Sequence, residues 1–123
     1  LARILVIDDE RQVRDMLEEM LRSAGHAVTM ASGGDEALET QRQSPCDLVI
    51  VDIFMPGKQG LEIIRELRAE SPDLKIVALS GGGGFSRFDA LESAVEAGAS
   101  VTMRKPVDWE ELILTIGNLL QTS

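Results

Sequence analysis

Short unbroken apolar runs alternate along this chain with longer stretches in which apolar residues recur every three to four positions. Residues 3–8, RILVID, form the first run and read as a buried strand. Over residues 9–24 the period changes. Val13, Met16, Leu17, Met20 and Leu21 fall on one helical stripe, and Gly25 supplies a stop. Residues 26–31 make a weaker strand, and 34–43 a short helix that ends before Pro45. A second strongly apolar strand spans 47–52. A helix over 58–70 turns Leu61, Ile64 and Leu67 inward and is broken by Ser71-Pro72. A strand over 74–80 is followed by four glycines, then a helix over 85–97 stopped by Gly98. A strand over 99–103 and a helix over 107–120 close the pattern, the last with Leu112, Ile113, Ile116, Leu119 and Leu120 on one face.

Five strand–helix pairs in regular alternation predict an α/β fold, a parallel sheet covered by helices on both faces. Right-handed crossovers leave few topologies, and the doubly wound, flavodoxin-like (βα)5 order 2-1-3-4-5 is the expected one. The 123 residues suit a single domain over 1–123, with 121–123 reading as the start of a linker. The chain begins with Leu, which suggests that it is trimmed or part of something longer.

Composition narrows the function more than the fold. With 44% hydrophobic residues, few aromatics and no tyrosine, the core must be aliphatic. The net charge of −9 repels phosphate backbones and argues against direct nucleic-acid binding. No apolar run approaches membrane-spanning length. Cys46 is the single cysteine, so an internal disulfide is impossible and a reducing cytoplasm is the expected setting; lying just before a strand, its thiol should be buried rather than reactive.

The chemistry concentrates at the strand ends. In an open parallel sheet, ligands bind beyond the carboxyl ends of the strands, where the strand order reverses. For the order 2-1-3-4-5 that point lies between the first and third strands. The first ends in Asp8-Asp9 and the third in Asp52. Taken singly, an aspartate at such a junction is most often a helix cap or turn former. Three carboxylates converging on one crevice are different, because they cannot all stay ionised unaided. A hard divalent cation with oxygen ligands answers the problem, and Mg²⁺ fits best because it leaves room for water and phosphate. The fourth strand ends in Ser80, and the fifth leads to Lys105-Pro106. Carboxylates, a hydroxyl and an ammonium on one rim form the set a phosphoryl group needs, with a carboxylate available as nucleophile.

The strand ending in Asp8-Asp9, the stretch VDIFMPGKQG over 51–60, Ser80 and Lys105-Pro106 together resemble the receiver domains of bacterial two-component response regulators, chemotaxis regulators among them. The resemblance covers essentially the whole chain. It implies that Asp52 accepts a phosphoryl group from the phosphohistidine of a sensor histidine kinase or histidine phosphotransfer protein. It implies Mg²⁺, or Mn²⁺, held directly by Asp9 and Asp52, through water by Asp8, and by the backbone carbonyl of Phe54. Lys105 would contact the phosphoryl oxygens across a cis bond to Pro106, and Ser80 would swing toward the phosphate. The protein would be a signalling phosphoacceptor that catalyses only its own phosphorylation and slow dephosphorylation. It would act on a downstream effector or a C-terminal output domain through its fourth helix, fifth strand and fifth helix, with room for a dimer formed on phosphorylation. The turn after Asp52 would hold that carboxylate rigid, Pro56 restricting φ and Gly57 and Gly60 adopting angles other residues avoid.

Particular residues depart from the family pattern or refine it. Thr102 stands where many members carry an aromatic switch residue. The glycines at 81–84 suggest a loop that orders only with phosphate. Phe54, two residues after Asp52, would hinder a hydrolytic water and lengthen the phosphoryl lifetime. His26 and Trp109 read as packing or surface residues. Rival readings are a flavodoxin-like cofactor binder, a small aspartyl phosphatase and a receiver that no longer takes phosphate. Against the first stands Asp8-Asp9-Glu10, where a phosphate loop would be needed.

Overall fold

The computed structural model describes residues 2–53, 60–81 and 87–121, apart from the side chains of 87–91. The elements run β1 (Arg3–Ile7), α1 (Arg11–Ser23), β2 (Ala27–Ala31), α2 (Gly34–Gln43), β3 (Leu48–Asp52), α3 (Gly60–Glu70), β4 (Lys75–Ser80), α4 (Arg87–Ala97), β5 (Val101–Arg104) and α5 (Trp109–Gln121). The strands pair in parallel in the order β2-β1-β3-β4-β5, as the alternation predicts. Among the described residues no helix is long and apolar enough to cross a membrane.

Successive strand residues point to opposite faces, so each buried strand feeds two cores. Leu5, Ile7, Val49, Val51, Ile76 and Ala78 pack toward α2, α3 and α4, joined there by Leu38, Ile63, Ile64 and Leu67. Ile4, Val6, Leu48, Ile50, Val77 and Leu79 pack the other way, against Leu17 and Leu21 of α1 and Leu112 and Ile116 of α5. Trp109 packs on the rim of this second core. The predicted α1 stripe is wider than the real one: Met16 is 44% exposed, while Leu17 and Leu21, with the partly buried Val13, fill the position over the sheet.

Two strands begin later than their apolar residues suggest, and for one reason. Gly25 (φ +94°) and Gly98 (φ +124°) end α1 and α4 in the left-handed region. In each case the next N–H turns back to the helix, His26 to the Leu21 carbonyl at 3.1 Å and Ala99 to the Ala94 carbonyl at 2.9 Å. The glycine N–H reaches Arg22 in one and Val95 in the other, both at 3.0 Å. These are paired 6→1 and 5→2 helix closures. His26 and Ala99 therefore finish helices rather than start strands. His26 is half-buried, its Nδ1 accepts the Ala2 N–H at 3.2 Å, and burial lowers its pKa. Cys46 is half-buried against Gln41, whose Oε1 accepts from both its N–H and its thiol, and burial pushes the thiol up to about 11.

At the amino edge of the sheet Arg68 ties three elements together. Its guanidinium donates to the carbonyls of Pro72 and Leu74 at the entry to β4 and of Gly98 at the end of α4, the last at 2.7 Å. A Cβ on Gly98 would come within 2.9 Å of the Arg68 stem. Gly117, inside α5, has nothing within 4 Å of the same position. The same substitution should thus have opposite signs. Gly98→Ala is expected to lower stability by about 1–2 kcal/mol through the left-handed backbone and the displaced arginine. Gly117→Ala should raise it by about 0.5–1 kcal/mol. Urea midpoints at unchanged slope measure both.

Candidate functional site

The topology brings the acidic strand ends side by side. β1 lies between β2 and β3, and its register pairs Ile7 with Val51. Asp8 follows directly after Ile7, and Asp52 directly after Val51, so both side chains sit at the carboxyl edge of adjacent strands. Both are buried, at 1% and 3% exposure. Asp9 and Glu10 continue past the strand end and are exposed. One carboxylate oxygen from each of Asp8, Asp9, Glu10 and Asp52 lies within 4.8 Å of the others.

Each flank of the crevice is positioned by backbone bonds. Ser80, buried at 4% exposure, ends β4, beyond the pairing of Asp52 with Leu79. Its carbonyl accepts the Lys105 N–H at 2.9 Å, which carries the β4–β5 ladder one residue past the end of β5. Lys105 is thereby held at the same edge, and its bond to Pro106 is cis. Its Nζ donates to Asp8 Oδ2 at 2.8 Å and to Asp52 Oδ2 at 3.1 Å, with Glu10 Oε1 at 3.9 Å.

The turn leaving Asp52 is clamped by Gly60. The Gly60 N–H donates to the Ile53 carbonyl at 3.1 Å. A Cβ there would lie 2.2 Å from the Asp52 carbonyl oxygen and 2.6 Å from Ile53 Cα. Glycine is needed for this close approach and not for an unusual φ, which corrects the expectation for this residue. Phe54, Pro56, Gly57 and the glycines at 82–84 lie outside the described residues.

The electrostatics of the crevice are unbalanced. Burial, the strongest single influence on Lys105, pulls its pKa down. The hydrogen bond to Asp8 and the fields of Asp52 and Asp8 together outweigh it, so the ammonium stays charged above its ordinary range. Among the described residues one ammonium faces four carboxylates, and this excess negative charge with its oxygen-only donor set is compatible with a divalent metal ion.

Glu10 and Arg14 were not singled out from the sequence. Glu10 is the N-cap of α1 but makes no side-chain cap, and its carboxylate points at the cluster instead. Arg14 Nη1 donates to the Asp8 carbonyl at 2.7 Å. The available signal was spacing: both follow Asp8 within two turns of the helix that β1 feeds. Thr102 is half-buried on β5 and borders a shallow recess with Arg104, Pro106 and Glu111.

Residues 4–117 match the family described as response regulator receiver domain. The chain belongs to that family. Among curated relatives, the response regulator MprA of Mycobacterium leprae is 38% identical over 119 residues, which are 97% of this chain and 51% of the relative. The MprA of Mycobacterium ulcerans is likewise 38% identical over 120 residues, at 98% and 50% coverage. The chain thus spans about half the length of the curated relatives it matches. Among solved structures, the receiver domain of NtrX from Brucella abortus superposes with a TM-score of 0.90 at 34% identity, covering 98% of this chain and 99% of that one. A CheY-like receiver domain protein from Methanospirillum hungatei gives 0.90 at 26% identity, covering 98% and 94%. Membership answers the cofactor-binder and phosphatase readings: this is a two-component signalling receiver domain.

Removing the shared cation should expose the imbalance. Lys105→Met is expected to destabilise the metal-free receiver domain by about 2–3 kcal/mol at neutral pH, because Asp8 and Asp52 stay buried without their ammonium. The raised pKa adds a signature. The unfolded chain releases the lysine proton first, so this stabilisation is complete below the ordinary value of 10.5 and is lost as pH rises through the folded value. Urea unfolding above pH 10 should fall more steeply for the wild type than for Lys105→Met.

Proposed function

We propose that residues 1–123 act as one phosphoacceptor unit in which Asp52 takes a phosphoryl group from a phosphohistidine. The observation that carries this reading is the buried Asp52 carboxylate at the end of β3, with the Lys105 ammonium 3.1 Å away inside a crowded acidic crevice. An Asp52 carboxylate oxygen attacks phosphorus, the P–O bond forms, the P–N bond to the donor imidazole breaks, and an acyl phosphate remains on Asp52. Gly60, packed against the Asp52 carbonyl, keeps the nucleophile in a fixed place. Lys105, now bridging Asp8 and Asp52, turns to the phosphoryl oxygens, and Ser80 donates its hydroxyl to another.

The donor set fits Mg²⁺, or Mn²⁺. Asp9 and Asp52 would hold it directly, Asp8 through water, and the Phe54 carbonyl would complete the set. Bound there, the ion supplies positive charge to the phosphoryl oxygens and to the carboxylate excess. Besides this self-phosphorylation and a slow dephosphorylation, no turnover of free substrates is proposed.

The phosphoryl group adds nearly two negative charges beside Ser80 and Lys105. Their reorientation biases the surface formed by α4, β5 and α5, which regulates an effector protein or an output domain and accommodates a dimer. With Thr102 in the place of an aromatic ring, the change must travel through other contacts of β5. A shift from mostly inactive to mostly active needs about 5 kcal/mol of differential stabilisation. A sensor histidine kinase or a histidine phosphotransfer protein is the proposed donor, and the cytoplasm the proposed setting.

Intact mass after incubation with acetyl phosphate and Mg²⁺ tests the reading. The wild type should gain one phosphoryl group, and Asp52→Asn or omission of the metal should abolish the gain. A wild type whose mass does not change would instead favour a receiver that only binds proteins.

A further inference from the structure

Asp8 is engaged at every polar position. Its N–H donates to the Ala31 carbonyl at 3.2 Å, and its Oδ1 accepts the Glu10 N–H at 2.9 Å. Its Oδ2 accepts from Lys105 at 2.8 Å, and its carbonyl accepts from Arg14 Nη1 at 2.7 Å. The first bond continues the β1–β2 ladder, and the second and third orient the carboxylate. The fourth belongs to the peptide that joins Asp8 to Asp9. It lies past Ile7, where the β1–β3 register ends, so the neighbouring strands no longer dictate the plane of that peptide.

A guanidinium is a rigid planar donor on a stem rooted in a helix. Arg14 closes the first turn of α1, its own N–H bonded to the Glu10 carbonyl at 3.0 Å. The helix is packed on the sheet through Leu17 and Leu21. The contact to the Asp8 carbonyl therefore joins the acidic pair to an element with a fixed position. Rotating the peptide between residues 8 and 9 would break this bond and redirect the exposed Asp9 carboxylate away from Asp8 and Asp52.

We propose that Arg14 is a positioning residue for the cation site: it locks the Asp8–Asp9 peptide so that Asp9 converges with the buried carboxylates. The proposal rests on the reading above that these carboxylates take a divalent cation. It has an unusual property, because Arg14 is itself a cation placed against the acidic pair. By charge alone its removal would tighten the binding of a dication. By positioning, its removal weakens binding. The two roles give opposite signs.

Isothermal titration of Mg²⁺ into the metal-free, unphosphorylated protein reads the sign directly. Wild type, Arg14→Met and Arg14→Lys are compared, each checked by thermal melting to be folded at the assay temperature. Arg14→Met keeps the stem and loses the donor; its Kd for Mg²⁺ should rise roughly tenfold, as when a partner supporting a metal ligand is lost. Arg14→Lys, which retains charge and a donor, should recover part of the loss. An unchanged or lower Kd in Arg14→Met overturns the proposal and leaves Arg14 as a nearby charge. Should Arg14→Met fail to fold, Arg14→Gln is read by the same sign. A wild type that takes up no Mg²⁺ overturns the cation reading itself, a result distinguishable from failure of the Arg14 proposal alone.

Discussion

Asp8 and Asp52 lie at the ends of adjacent strands with almost no contact to solvent, and the Lys105 ammonium lies between them. Taking a carboxylate out of water is expensive unless it is paired and hydrogen-bonded. The strand order makes the expense unavoidable, since β1 and β3 are neighbours and both finish in aspartate. Lys105 offsets part of it, and can do so only because the β4–β5 ladder delivers it to the same edge. Asp9 and Glu10 then add charge that Lys105 does not neutralise. Among the described residues the site carries more negative than positive charge on a rigid sheet, and that excess connects the fold to the proposed cation and phosphoryl chemistry.

Much of this was open to inspection in the amino-acid sequence. Parallel strands buried on both faces read as unbroken apolar runs, so Ile4 to Ile7 and Leu48 to Val51 are unmistakable. The helices between them show a period of three to four. Once alternation has set the topology, the switch in strand order points to the ends of β1 and β3, and the residues there are acidic. The proposed phosphoryl-handling residues are legible because they lie at strand ends, where position in sequence and position in space coincide.

The roles that the sequence does not show act through contacts that no local period reports. Gly60 looks like an ordinary turn glycine; its requirement is the 2.2 Å that a Cβ would leave to the Asp52 carbonyl oxygen. Glu10 and Arg14 look like solvated charges at the start of a helix, and only the geometry turns them toward Asp8 and Lys105. His26 and Ala99 look like strand residues because they are followed by apolar ones, but their N–H groups are taken by the preceding helix. In each case a single close approach in three dimensions overrides what the neighbours in sequence suggest.

Arg68 sits at the far edge of the sheet from the acidic crevice and fastens the last turn of α4 to the entry of β4. The helix starts at Arg87, on the crevice side, and runs back to Ala97. Because one guanidinium holds both, losing Arg68 would release the end of α4 and the start of β4 together.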